Sequence, residues 1–288
     1  MPFILDDPTP ADPRRNWAGL DRAGRGACYD NNAGVPDSAA QVAARNAASA
    51  EYRAAHPGRL DIPYAGSERT AFDLYPAADP AAPCLVFVHG GYWQRNARAD
   101  FACFAQGLND AGWSVAMPGY TLAPEASLAA IVGEIGAALD WLAGQGSAHG
   151  IGGTIVLSGW SAGAQLAALH LGHPAVTAGL AISGVYDLAP IRETYLDEKL
   201  ALTEAEIAAL SPLRLPVVAK PLTIAYGSRE LPALVHDARN LHALRSAAHA
   251  PGALLPVPGA DHFSILDQFR RPDGLLVRAA RDLLGGAR

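Results

Sequence analysis

The chain predicts an α/β fold, with a mostly parallel central sheet covered by helices on both faces. Three observations point there. From residue 71 onward, short apolar runs alternate with longer amphipathic stretches. Those runs are almost continuously apolar, as strands buried on both faces must be. One of them also enters the helix that follows it through a Gly-x-Ser-x-Gly turn.

The expected strands are 71–75, 84–89, 114–117, 154–158, 179–183, 222–226 and 253–257. Helical stretches fall near 97–111, 127–144, 161–172, 231–249 and 273–284. Ahead of the alternation, residues 1–70 read as an extended, proline-punctuated arm around one helix. That arm and helix occupy 1–60, with Ser38 as N-cap for the helix-forming run Ala39–Ala55. Residues 187–220 interrupt the pattern. Pro190, Pro212 and Pro216 break them up, and Thr203-Glu204-Ala205-Glu206 carries a capping-box signature. An insertion between two core strands sits over the strand ends, so 187–220 is expected to form a small lid on a single domain spanning 1–288.

Bulk composition excludes several classes. Half of the 288 residues are apolar and the net charge is −6, with acidic and basic residues interspersed. There is no basic stripe for nucleic acid and no polybasic patch for a membrane surface. No apolar run is long enough to span a bilayer. Met1–Pro13 carries Asp6, Asp7 and Asp12 with four prolines and lacks the basic region of a signal peptide, which points to a cytoplasmic protein. Cys28, Cys84 and Cys103 have no metal-type spacing and read as reduced thiols. His170 and His173 share a helix face but lack an acidic partner at metal-site spacing, so no metal or other cofactor is expected. A homodimer stays open.

Ser161, at the centre of Gly159-Trp160-Ser161-Ala162-Gly163, is the candidate nucleophile. A strand-to-helix turn this tight strains its central residue and lifts the hydroxyl out of the sheet. A serine hydroxyl needs an adjacent base, itself oriented by a third group. His262 has the right place for the base, in the turn after the last strand. For the acid, Glu230 follows the strand before the histidine's strand and is preferred on chain order, with Asp187 and Asp261 as competitors. Val86–Trp93 supplies a strand ending in His-Gly-Gly, where Gly91 and Tyr92 N–H, with Ala162 N–H, are the expected oxyanion donors. His89 reads as a loop brace rather than a base. Trp93, Trp160, Tyr120 and Phe263 are the expected pocket aromatics, although aromatics beside a sheet are more often plain core.

Taken together, Gly-Trp-Ser-Ala-Gly, His-Gly-Gly-Tyr-Trp (89–93) and Gly-Ala-Asp-His-Phe (259–263) resemble the α/β-hydrolases over about residues 60–288. The kynurenine formamidase (arylformamidase) and esterase branch, with its His-Gly-Gly-x-Trp marker, is the nearest resemblance. Gly119–Glu125 is also similar to a segment of hormone-sensitive-lipase-type esterases, with Thr121 in place of the usual arginine. The resemblance implies a metal-free serine hydrolase with an acyl-enzyme, acting on a small, aromatic ester or formamide. The chain departs from that branch at the acid, where Glu230 stands in place of the usual aspartate. An aryl amine with an ortho carbonyl leaves more readily, and its carboxylate would call for a cation, with Arg95, Arg98 and Arg192 as candidates. A short-chain carboxylesterase, or a non-catalytic binding protein on the same fold, are the alternatives.

Overall fold

The computed structural model describes residues 17–285. Eight strands form one sheet in the order β1-β2-β4-β3-β5-β6-β7-β8. In chain order they are β1 (Ile62–Pro63), β2 (Ala71–Tyr75), β3 (Cys84–Val88), β4 (Ser114–Pro118), β5 (Ile155–Trp160), β6 (Val176–Ile182), β7 (Leu222–Gly227) and β8 (Leu254–Val257). The first two pairings, β1 with β2 and β2 with β4, are antiparallel, and the others are parallel. Every residue of β2, β3, β4, β5 and β7 is buried, which is why these segments read as nearly continuous apolar runs, with Asp73 the one charged residue among them. The two-residue β1 carries no period and escaped the sequence pattern.

Two apolar layers sandwich the sheet. On one face Phe72, Val86, Leu157 and Ile224 pack with Ile131, Ile135 and Leu139. On the other, Leu85, Phe87, Val115 and Val156 pack with Phe101, Phe104 and Phe269.

The N-terminal stretch differs from an extended arm around one helix. It holds α1 (Arg22–Ala27), α2 (Asn31–Gly34) and α3 (Ser38–Ala55). The first two are short and start on side-chain caps: Asp21 accepts from Gly24 N–H, and Asp30 from Ala33 N–H. Ser38 is not the cap of α3. Asp37 holds that position, and the Ser38 hydroxyl donates to the Asn32 carbonyl instead. The Met1–Pro13 stretch lies outside the described residues.

Further along come α4 (Gln106–Asp110), α5 (Leu128–Gln145), α6 (Ala162–Leu169), α7 (Ala189–Arg192), α8 (Asp197–Leu200), α9 (Glu204–Leu210), α10 (Pro232–Ala247) and α11 (Leu275–Asp282). Segment 98–105, expected as α-helix, is a 3-10 turn. The capping box at Thr203 and Glu206 forms as expected and starts α9. Insertion 187–220 is tied to the N-terminal segment: Trp17 and Arg25 donate to Glu193, and Arg22 to the Thr194 carbonyl.

The contact that fastens α3 to the sheet is a buried carboxylate. Asp73 on β2 is fully enclosed and accepts from Arg53 of α3 and from Arg98 Nε at 3.1 Å. Removing one partner of a buried ion cluster leaves the others desolvated and unpaired. Asp73→Ala is therefore expected to cost about 3–5 kcal/mol, seen as a thermal midpoint lower by roughly 10 °C. A shift under about 2 °C would mean that water replaces the carboxylate.

Candidate functional site

Ser161 sits between β5 and α6 with φ 57° and ψ −121°. The Ser161 N–H donates to the Ile182 carbonyl on β6 at 2.8 Å, which holds the residue in this left-handed conformation. The flanking glycines are obligatory. A Cβ at Gly159 would lie 2.0 Å from the Gly163 carbonyl oxygen, and one at Gly163 would lie 2.0 Å from that of Val88. The sheet brings three loops to this point. The loop after β3 carries His89–Trp93, the loop after β7 carries Glu230, and the loop after β8 carries His262.

His262 Nε2 lies 3.2 Å from Ser161 Oγ, and its Nδ1 lies 3.4 Å from Glu230 Oε2. All three side chains are buried, and the Trp160 ring lies against the imidazole at 4.7 Å between centroids. Glu230 is held at its other oxygen. Oε1 accepts from the Ser183 hydroxyl and from Gly227 N–H, leaving Oε2 for the imidazole. Ser183, at φ 54°, is a positioning residue that the sequence reading missed.

The competing acids are engaged elsewhere. Asp187 accepts from Arg214 Nε at 3.0 Å and from Ala189 N–H. Asp261 accepts from Phe263 and Ser264 N–H at 2.9 Å, closing the turn that presents His262. Burial pushes the Asp261 carboxyl up, but those hydrogen bonds and one from Gln41 outweigh it and leave its pKa below the usual carboxylate value.

Gly91, at φ 123°, has no room for a side chain, because a Cβ would lie 2.4 Å from the Arg95 carbonyl oxygen. Tyr92 and Trp93 follow at φ 51° and 58°. Among the described residues, the amides of Gly91, Tyr92 and Ala162 donate to no acceptor. His89 is a brace. Its Nδ1–H donates to the Gly90 carbonyl at 2.9 Å, and its ring stacks on Tyr120. Burial drives its pKa down to about 3, although the bond to Gly90 opposes this, so the ring is neutral near pH 7.

A cavity of about 230 Å³ opens on Ser161 and His262, walled by Tyr92, Trp160, Phe263 and Tyr195. Two expected pocket aromatics are elsewhere. Trp93 is fully buried, with its indole N–H donating to Gln165 of α6 at 3.1 Å. Tyr120 is also fully buried, and its hydroxyl donates to the His89 carbonyl at 2.9 Å. Both belong to the core, because their polar atoms find partners inside it. Of the three expected cations, Arg95 lines the cavity. Arg98 is committed to Asp73 and Asp61, and Arg192 to Glu204.

The sequence reading also missed the N-terminal wall. Tyr29, Asn31 and Arg45 line the same cavity. The Tyr92 hydroxyl donates to the Tyr29 carbonyl at 2.7 Å and accepts from Asn31 Nδ2 at 3.0 Å. Asp30-Asn31-Asn32-Ala33-Gly34 is a visible turn signal, but nothing in it says where the turn docks.

A family model described as BD-FAE matches residues 72–178. Among solved structures, a putative thioesterase from Silicibacter sp. superposes with a TM-score of 0.79 at 28% identity, covering 88% of this chain and 97% of that one. An esterase from Mycobacterium marinum superposes with a TM-score of 0.71 at 20% identity, covering 87% and 88%.

The chain has the α/β-hydrolase fold.

Within that fold its sequence is similar to kynurenine formamidases. The Danio rerio protein is 28% identical over 263 residues, 85% of this chain and 88% of that relative. The Drosophila melanogaster protein is 24% identical over 221 residues, 70% and 73% of the two chains.

Proposed function

We propose that this α/β-hydrolase is a serine hydrolase that cleaves small aryl formamides and esters through an acyl-enzyme. The observation that supports it most is the continuous relay from Glu230 Oε2 through His262 to Ser161 Oγ, at 3.4 and 3.2 Å. Ser161 Oγ attacks the carbonyl carbon as its proton passes to His262 Nε2. Glu230 holds the ring with Nδ1–H toward itself and stabilises the imidazolium. The oxyanion that develops accepts hydrogen bonds from the amides of Gly91, Tyr92 and Ala162, which have no other acceptor among the described residues. His262 then gives its proton to the departing nitrogen or oxygen as that bond breaks. Water, deprotonated by the same imidazole, releases formate or another small acid and restores Ser161. In this reading residues 187–220, with Tyr195 at the cavity, act as a lid.

The test pairs covalent labelling with turnover. A fluorophosphonate is expected to label Ser161 stoichiometrically, and an intact protein that takes no label would be a binding module instead. Comparison of kcat/KM for an aryl formamide and the acetate ester of the matching phenol assigns the substrate class. A preference of about a hundredfold, roughly 2.7 kcal/mol, decides between formamidase and esterase.

A further inference from the structure

Several enclosed guanidinium groups in this protein are met by carboxylates or carbonyls. Arg53 and Arg98 close on Asp73, and Arg245 donates to the carbonyls of Val218, Lys220 and Pro251. Arg45 on α3 is only 7% exposed, yet it faces no carboxylate within ion-pair distance among the described residues. Its Nε and Nη2 both donate to the neutral Asn46 Oδ1, at 3.1 and 2.9 Å. The guanidinium carbon lies 4.2 Å from the centre of the Phe101 ring. Stacking offsets only part of the cost of desolvating a cation, and a buried charge without its counter-ion is costly.

The position of Arg45 says what would complete it. It lines the catalytic cavity with Ser161 and His262 and also lines a neighbouring cavity of about 610 Å³. Val42, Trp160 and Phe263 are shared by the same two cavities, so Arg45 stands at their junction, among aromatic rings. Arg95 is the other arginine of the catalytic cavity, but it is exposed and remains hydrated. A hydrated cation attracts anions without discriminating strongly, whereas a buried one rejects a ligand that cannot neutralise it.

We propose that Arg45 is the anchor for a carboxylate carried by an aromatic substrate, so that the enzyme selects anionic aryl formamides or esters over neutral ones. This rests on the serine-hydrolase reading of the same cavity, and a binding measurement tests it separately from turnover. In Ser161→Ala protein, calorimetry with 2-formamidobenzoate and its isosteric carboxamide is expected to show the carboxylate bound at least about tenfold more tightly. Adding Arg45→Gln should erase the difference, and Arg45→Lys should restore part of it. With Ser161 intact, Arg45→Gln should raise KM for the carboxylate at least about tenfold more than it raises KM for the carboxamide. Should Arg45→Gln fail to fold, Arg45→Met keeps the apolar stem against Phe101 and removes the charge. Equal affinities with Arg45 present, or a preference that survives its loss, would overturn the anchor. If the preference holds while Ser161 takes no fluorophosphonate, the catalytic reading falls and the anchor stands.

Discussion

Ser161→Ala is expected to lower kcat by about 10⁶, as loss of the nucleophile does when a triad acts as a unit. The thermal midpoint should barely move, because Ser161 Oγ contacts only His262 among the described residues. Alanine does have to occupy φ 57°, but the Ser161 N–H bond to Ile182 and the close packing of Gly159 and Gly163 already impose that conformation. Progress curves at high enzyme concentration give the measurement. Residual activity above about one tenth of wild type would show that hydrolysis proceeds without an acyl-enzyme.

The second large effect belongs to the acid. Glu230→Gln should cost about 10⁴ in kcat, since an amide offers its nitrogen where the imidazole needs an acceptor. Asp187→Asn, in contrast, should leave kcat within about twofold, because Asp187 serves Arg214 and the start of α7. Glu230→Asp lands between them. The shorter side chain cannot keep Ser183 and Gly227 on one oxygen while the other reaches His262. A split between kcat and KM identifies the orienting role: Glu230→Asp should lower kcat and leave KM within about threefold. If Asp187→Asn were the damaging change, the assignment of the acid would be wrong.

The parts of the site that the sequence exposed are those where geometry is local. Gly159 abuts the Gly163 backbone one turn on and Gly163 abuts Val88 on the adjacent strand β3, so their spacing around Ser161 already specifies the elbow. Glu230 could be ranked above Asp187 by chain order alone, because successive parallel strands deliver their loops to one edge. The role of Asp261 in closing the turn before His262 is not legible in sequence and appears only once Phe263 and Ser264 direct their amides at it.

Trp93 and Tyr120 were misplaced for a comparable reason. Two successive left-handed residues put Tyr92 on the cavity and Trp93 in the core, and no composition rule reports that reversal. The N-terminal wall had the weakest signal. α1 and α2 are too short to show a period, and Arg45 looks in sequence like any polar position on an alanine-rich helix.

That wall separates two inheritances along the chain. The proposed catalytic groups hang from the sheet, after β3, β5, β7 and β8. Part of the cavity wall comes from residues 29–45 and from Tyr195 in the insertion, and contacts through Trp17, Arg22 and Arg25 bind these two regions together. Selectivity is thus free to drift by exchange of an outer collar, while the machinery beneath keeps its register.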